Sequence, residues 1–130
     1  MKTGTDMKTP LKRVRGLGAS GSGTEHFWHQ RVSAIFLVPL GLYMVWFVMA
    51  HLGATRAEVA ASLSHPFHAV LMALGVGLAI WHSMLGLQVV IEDYVHGPVA
   101  RLAALLLNQA YAALLAGLAL YALVKMSFGV

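Results

Sequence analysis

The sequence predicts an all-α protein with three transmembrane helices, and three observations carry that expectation. First, 58% of the 130 residues are hydrophobic and only 11% are charged. A soluble domain usually carries about 25% charged residues to solvate its surface, so lipid is the expected solvent. Second, the apolar residues fall into three long runs separated by short polar breaks. Third, the basic residues cluster at one end of the chain and in one of the breaks.

The elements follow in order. Residues 1–25 are basic and glycine-rich, with Lys2, Lys8, Lys12, Arg13 and Arg15 ahead of the run from Gly16 to Gly23. They read as a flexible cytoplasmic tail. No secretory signal is expected, because the first apolar run starts too late, is too long and is followed by no small-residue cleavage site. Residues 26–130 read as the membrane domain. Val32 to Thr55 holds no Asp, Glu, Lys or Arg, and at about 1.5 Å per residue it exceeds the ~30 Å hydrocarbon core. The first span is set at about 32–54, bent at Pro39, which membrane helices tolerate. Arg56 to Ser64 reads as a polar connection. Ser64 is the expected cap of the second span, with Pro66 in its first turn, and that span runs 66–91 until Glu92 and Asp93. A tight turn through Gly97-Pro98 leads to the third span, about 100–124, closed by Lys125.

Seven basic residues (Lys2, Lys8, Lys12, Arg13, Arg15, Arg31 and Arg101) lie on one side of this arrangement, and two (Arg56 and Lys125) on the other. The excess places the N-terminus and the 92–101 turn in the cytoplasm and the C-terminus outside. The net charge of +4 is thereby explained by topology, and no nucleic-acid partner is expected. Small residues four apart, Ala69/Ala73/Gly77 on the second span and Ala112/Ala116 and Ala113/Gly117 on the third, would let helix backbones approach closely in lipid. The absence of cysteine excludes disulfides, thiolate-held iron–sulfur clusters and covalent c-type haem within this chain.

His82 is the most informative position. It lies inside the second span, where a polar ring needs a partner that lipid does not offer. Two readings stand: a ligand for haem iron through a neutral imidazole nitrogen, or a structural histidine bonded to a neighbouring helix. Gly86, one turn on, would leave room for a flat macrocycle. His82, Gly86, Val89 and Asp93 form one helical stripe, and Tyr94 is adjacent. A boundary tyrosine can donate a hydrogen bond to a ligand carbonyl, with Asp93 orienting it or relaying protons; equally, tyrosine is common at membrane interfaces. Arg31 could pair with haem propionates or simply snorkel. His26 and His29 are too few to make a metal site. His51, His65 and His68 read as interfacial at the outer face, Gln88 as facing protein, and His96 has no assigned role. No hydrolase triad, phosphate loop or zinc-protease helix is present.

The segment His82-Ser-Met-Leu-Gly-Leu-Gln-Val-Val-Ile-Glu-Asp-Tyr94 resembles the second-helix signature of the succinate dehydrogenase (respiratory complex II) hydrophobic membrane anchor subunits, the D subunits. Histidine, a glycine four later and Asp-Tyr eleven and twelve later are all in place. The segment His26-Phe-Trp-His-Gln-Arg-Val-Ser-Ala-Ile35 resembles the approach to the first helix of that family. Gln30-Arg31 stands where the C subunits carry His-Arg, and the Asp-Tyr ending favours D.

The resemblance implies that the three helices form part of a heterodimeric haem-binding bundle. Haem b would be shared with a cytochrome b556-type C subunit, with His82 as one axial ligand to the iron. Arg31 and His26 would lie at the propionates. Tyr94 would bond a carbonyl of ubiquinone, the substrate, with Asp93 close by. FAD and the iron–sulfur clusters would reside only in a flavoprotein subunit and an iron–sulfur subunit docked on the cytoplasmic side. The chain would be a subunit of an enzyme without catalysing a reaction alone. A bacterial inner membrane is expected ahead of a mitochondrial one. The alternatives are a fumarate reductase anchor, and a haem-free structural anchor or small transporter subunit.

Overall fold

The computed structural model describes residues 9–15 and 23–129. Among the described residues five helices follow one another: α1 (Pro10–Val14), α2 (Gly23–Ala50), α3 (Arg56–Leu63), α4 (Pro66–Tyr94) and α5 (Pro98–Phe128). No strand occurs among the described residues. Three helices are long and apolar enough to cross a membrane: α2 (from Thr24), α4 and α5. Of the expected tail, residues 1–8 and 16–22 lie outside the described residues, and α1 occupies part of the remainder.

Helix α2 begins well before the predicted span. No breaker stands between Gly23 and the apolar run, and Glu25 in the first turn complements the helix dipole. His26, His29, Gln30 and Arg31 are therefore helical. The helix runs unbroken through Pro39 and stops at Ala50, where Gly53 takes a φ of +79° in the turn that follows.

The polar connection expected at Arg56 to Ser64 is instead α3. Thr55 and Glu58 close a reciprocal capping box: the Thr55 N–H donates to Glu58 Oε2 at 2.6 Å, and the Glu58 N–H donates to Thr55 Oγ1 at 3.4 Å. Ser64 does not cap the next helix. Its hydroxyl donates to the Ala61 carbonyl at 2.7 Å and its N–H to Ala60, which closes α3. His65 takes the cap, Nδ1 accepting from the Phe67 N–H at 3.3 Å, with Pro66 in the first turn. At the other end of α4, the Val95 N–H bonds Ile91 at 3.0 Å, and Gly97 and Pro98 open α5. Lys125 falls inside the last turn of α5, where a cation suits the helix C-terminus, and Gly129 (φ +68°) ends it in the left-handed region.

Helix α4 is central. It packs against α2 on one side and α5 on the other, while α2 and α5 do not touch; α3 lies across one end against α4 and α5. Buried side chains are few: Ser33, Phe47, Leu63, Leu85, Ile91, Asn108 and Ala112. Large apolar side chains such as Ile35, Leu42, Leu107 and Tyr121 point outward, each more than 60% exposed. Such a surface suits lipid and further protein rather than water. At the α2–α4 contact the close-approach glycine is Gly75: a Cβ there would stand 2.6 Å from Met44 Sδ. Gly77, one member of the predicted small-residue stripe, faces the α4–α5 groove with Ala73 and Ala116. Asn108 links these two helices, its Nδ2 donating to the Met84 carbonyl at 3.0 Å.

Candidate functional site

The site forms where α2 and α4 pack. On α2, His26, Gln30 and Ser33 are spaced i, i+4, i+7, one face of the helix, and Gln30 and Ser33 meet His82 on α4. The Ser33 hydroxyl donates to the Gln30 carbonyl at 3.1 Å. The same oxygen lies 2.9 Å from His82 Nδ1. With the Ser33 proton on the Gln30 carbonyl, Oγ accepts from the Nδ1–H of a neutral ring and the lone pair is left on Nε2. The Gln30 amide nitrogen stands 3.5 Å from Nε2, at the outer edge of hydrogen bonding. Gln30 Oε1 is buried and has no partner.

The His82 ring is bonded to a neighbouring helix, but only Nδ1 is held closely. Gly86 does leave space beside it: the nearest atom to a Cβ there would be Gln30 Nε2 at 3.5 Å. The chain's own amide borders that opening.

The other expected residues lie apart from His82. Asp93 and Tyr94 end α4 eleven and twelve residues later, about 16–18 Å along its axis. Both are exposed, Tyr94 by 77%, and neither makes a hydrogen bond among the described residues. Gln88 donates to Glu92 Oε1 at 3.0 Å on its own helix. Arg31 is exposed and turned away from the Gln30–Ser33 face, its guanidinium 4.9 Å from the centre of the Phe27 ring. His26 shares that face but is exposed one turn farther out. His29 meets the edge of Trp81, 6.3 Å between ring centres. His96 is exposed.

A second histidine cluster sits at the opposite end of α4. His51 Nδ1 donates to the Phe47 carbonyl at 2.8 Å, and its Nε2 therefore accepts from the Ser62 hydroxyl at 2.8 Å. His68 Nδ1 and the Tyr43 hydroxyl are 2.7 Å apart, and Tyr43, Phe47 and Phe67 surround the ring. No three His, Asp or Glu side chains converge to hold a bare metal ion among the described residues. His82 offers a single nitrogen.

The sequence model of the succinate dehydrogenase/fumarate reductase transmembrane subunits matches residues 5–125. The chain belongs to this family. The succinate dehydrogenase hydrophobic membrane anchor subunit of Paracoccus denitrificans is 32% identical over 121 residues, 93% of each chain. Its namesake in Rickettsia bellii is 31% identical over 90 residues, 69% of this chain and 72% of its own. The succinate dehydrogenase membrane anchor subunit of Reclinomonas americana is 35% identical over 89 residues, 66% and 74% respectively. No solved structure matches the chain.

Three residues of this transmembrane subunit escaped the sequence reading: Gln30 and Ser33, which meet His82, and Asn108, which ties α5 to α4 two residues beyond it. Gln30 stands just before the first run, beside Arg31; Ser33 and Asn108 are polar side chains in apolar runs, and such residues must find partners in the bundle. That signal was present. The partner's identity was not, since helical spacing fixes a face within one helix but not which face of its neighbour it meets.

Proposed function

We propose that this chain is the hydrophobic membrane anchor subunit of a succinate:ubiquinone oxidoreductase in a bacterial inner membrane, and that His82 is one axial ligand of a haem b shared with a cytochrome b556-type C subunit. The observation that carries the proposal is the bond from His82 Nδ1 to Ser33. With the Ser33 proton on the Gln30 carbonyl, Oγ accepts from Nδ1–H and Nε2 stays unprotonated, the state in which imidazole binds iron. With no cluster of protein ligands nearby among the described residues, iron would have to come already held by a macrocycle. Gly86 supplies room on that side, on the condition that the Gln30 amide swings away. Its unpartnered oxygen gives up no hydrogen bond in doing so.

Bound haem b supplies a one-electron carrier within the membrane. The chain's own residues bind and orient it. His82 holds the iron and Ser33 holds His82. Arg31, which makes no ion pair among the described residues, would serve the propionates by swinging from Phe27 toward the Gln30–Ser33 face, and His26, one turn beyond Gln30, would join it. At the end of α4 the Tyr94 hydroxyl donates to a carbonyl oxygen of ubiquinone, and Asp93 orients it or passes protons toward the reduced oxygen. The exposure of both residues supports a pocket completed by partner subunits on the side where an iron–sulfur subunit and a flavoprotein carry the iron–sulfur clusters and FAD. The excess of basic residues supports a cytoplasmic position for this end and for the N-terminus. The names of the relatives favour succinate oxidation over fumarate reduction.

The test is the absorption spectrum of the purified complex. In His82→Ala, with all subunits still assembled, the reduced b-type band is expected to disappear. An unchanged band in that variant rules out ligation by His82.

A further inference from the structure

We propose that Ser33 is a positioning residue that selects the ligand-competent tautomer of His82, in competition with Gln30. The inference rests on the haem reading above and concerns what keeps His82 available for it. Ser33 is 4% exposed, although a serine in an apolar helix can satisfy itself by bonding its own backbone and point anywhere. Its back-bond to Gln30 does that already. The additional bond, at 2.9 Å to a ring 49 residues away, makes a directed chain from His82 Nδ1–H to Ser33 Oγ–H to the Gln30 carbonyl. Each bond in such a chain polarises the next.

The alternative to this chain lies on the other edge of the same ring. Gln30 presents its amide to His82 Nε2 at 3.5 Å, and its Oε1 is buried without a partner. A half-turn of that amide would bring the oxygen to Nε2. If the ring proton then moved from Nδ1 to Nε2, Nε2–H would donate to Oε1, and the nitrogen needed for iron would be capped. The proton therefore has two acceptors in reach, one on each side of the ring. Ser33 stabilises the open state and Gln30 the capped state. Ser33 also tunes the bound state, because an acceptor on Nδ1–H raises the basicity of the coordinating nitrogen. A more basic ligand favours ferric iron and lowers the haem potential.

The test uses the whole complex and reads haem per flavin, the ferric low-spin EPR signal and the haem midpoint potential. In Ser33→Ala, haem retention is expected to weaken by about tenfold, the value of one neutral hydrogen bond, and the remaining haem to show a raised potential. Ser33→Thr keeps the hydroxyl and restores both. The decisive variant is Ser33→Ala with Gln30→Leu. Removing the competing acceptor is expected to return haem occupancy toward that of the wild type while the potential stays raised. A packing role for Ser33 predicts no such rescue, so continued loss of haem in the double variant overturns the proposal. Unchanged haem content and potential in Ser33→Ala, with haem lost in His82→Ala, overturns the positioning role and leaves the ligand assignment intact. Haem retained unchanged in His82→Ala overturns both.

Discussion

Helix α4 carries His68 near one end and His82 fourteen residues later, about 21 Å along the axis and nearly four full turns on. Both therefore face α2, yet α2 treats them differently. Around His68 and neighbouring His51 it offers Tyr43, Trp46 and Phe47, and the hydrogen bonds there are 2.7–2.8 Å long. His51 has both ring nitrogens occupied by groups of its own chain. Around His82 it offers small and polar groups: a close bond to Ser33, a long approach from Gln30 and a buried oxygen with no partner. Buried polar groups in folded proteins are nearly always satisfied. The satisfied end therefore reads as a structural joint between helices, and the frustrated end as a site arranged around something further. Histidine content alone does not separate the two.

Exchanging the two sites experimentally gives the largest expected contrast. Where the proposal expects His82→Ala to abolish the b-type band, His68→Phe is expected to leave the spectrum as it is and lower the stability of the complex by about 1–2 kcal/mol, the scale of one polar contact between membrane helices. Thermal melts beside spectra of the same preparations measure both. A variant at His68 that loses haem from an otherwise assembled complex would erase the distinction between the ends.

The far end of α4 extends the comparison to the substrate. On the proposed function, Tyr94→Phe removes a hydrogen bond to the reacting oxygen and is expected to slow ubiquinone reduction by about tenfold or more. Succinate oxidation by an artificial dye, which needs no quinone, should be retained. Equal losses in the two assays would assign Tyr94 to the membrane interface instead.

Between these ends, packing distinguishes two glycines two residues apart. Gly75→Ala would place a methyl 2.6 Å from Met44 Sδ and 3.2 Å from its Cγ, whereas a Cβ at Gly77 meets nothing within 4 Å. Overpacking at Gly75 is expected to cost about 1–3 kcal/mol. Gly77→Ala should be neutral or slightly stabilising through helix propensity. Unfolding of the two variants side by side sharpens where α2 bears on α4: equal melting would mean that Met44 moves aside freely.

The spans were legible because hydropathy and helix length are properties of a run. The stripe from His82 to Asp93 was legible because one helix fixes its own faces. The encounter of His82 with Gln30 and Ser33 was not, since it depends on the rotation and depth of α2 relative to α4, set by many weak contacts such as that of Gly75 with Met44. Helix α3 is a different case. Its hydropathy is modest and it spans nothing, so a search for long apolar runs passes over it. Thr55-x-x-Glu58 is nonetheless a local signature of a helix start, and it stands in the sequence in full.

That capping box yields the smallest effect, and one with a definite sign in pH. The Thr55 backbone N–H and then its hydroxyl donate to the Glu58 carboxylate, at 2.6 and 2.9 Å, and hold its pKa below the usual glutamate value. A group whose pKa is lower folded than unfolded contributes stability that is fully present above the unfolded value and disappears as pH falls through the folded one. Protection of the α3 amides from hydrogen exchange, corrected for the intrinsic rate, should therefore hold at neutral pH and decline in the acid range. Glu58→Gln should show weaker protection at neutral pH and little further change on acidification. Because α3 lies at the His51 and His68 end, its loosening should leave the b-type spectrum untouched. Acid fraying of α3 that also altered the haem band would show that the two ends of α4 are coupled, and would end the separation drawn between them.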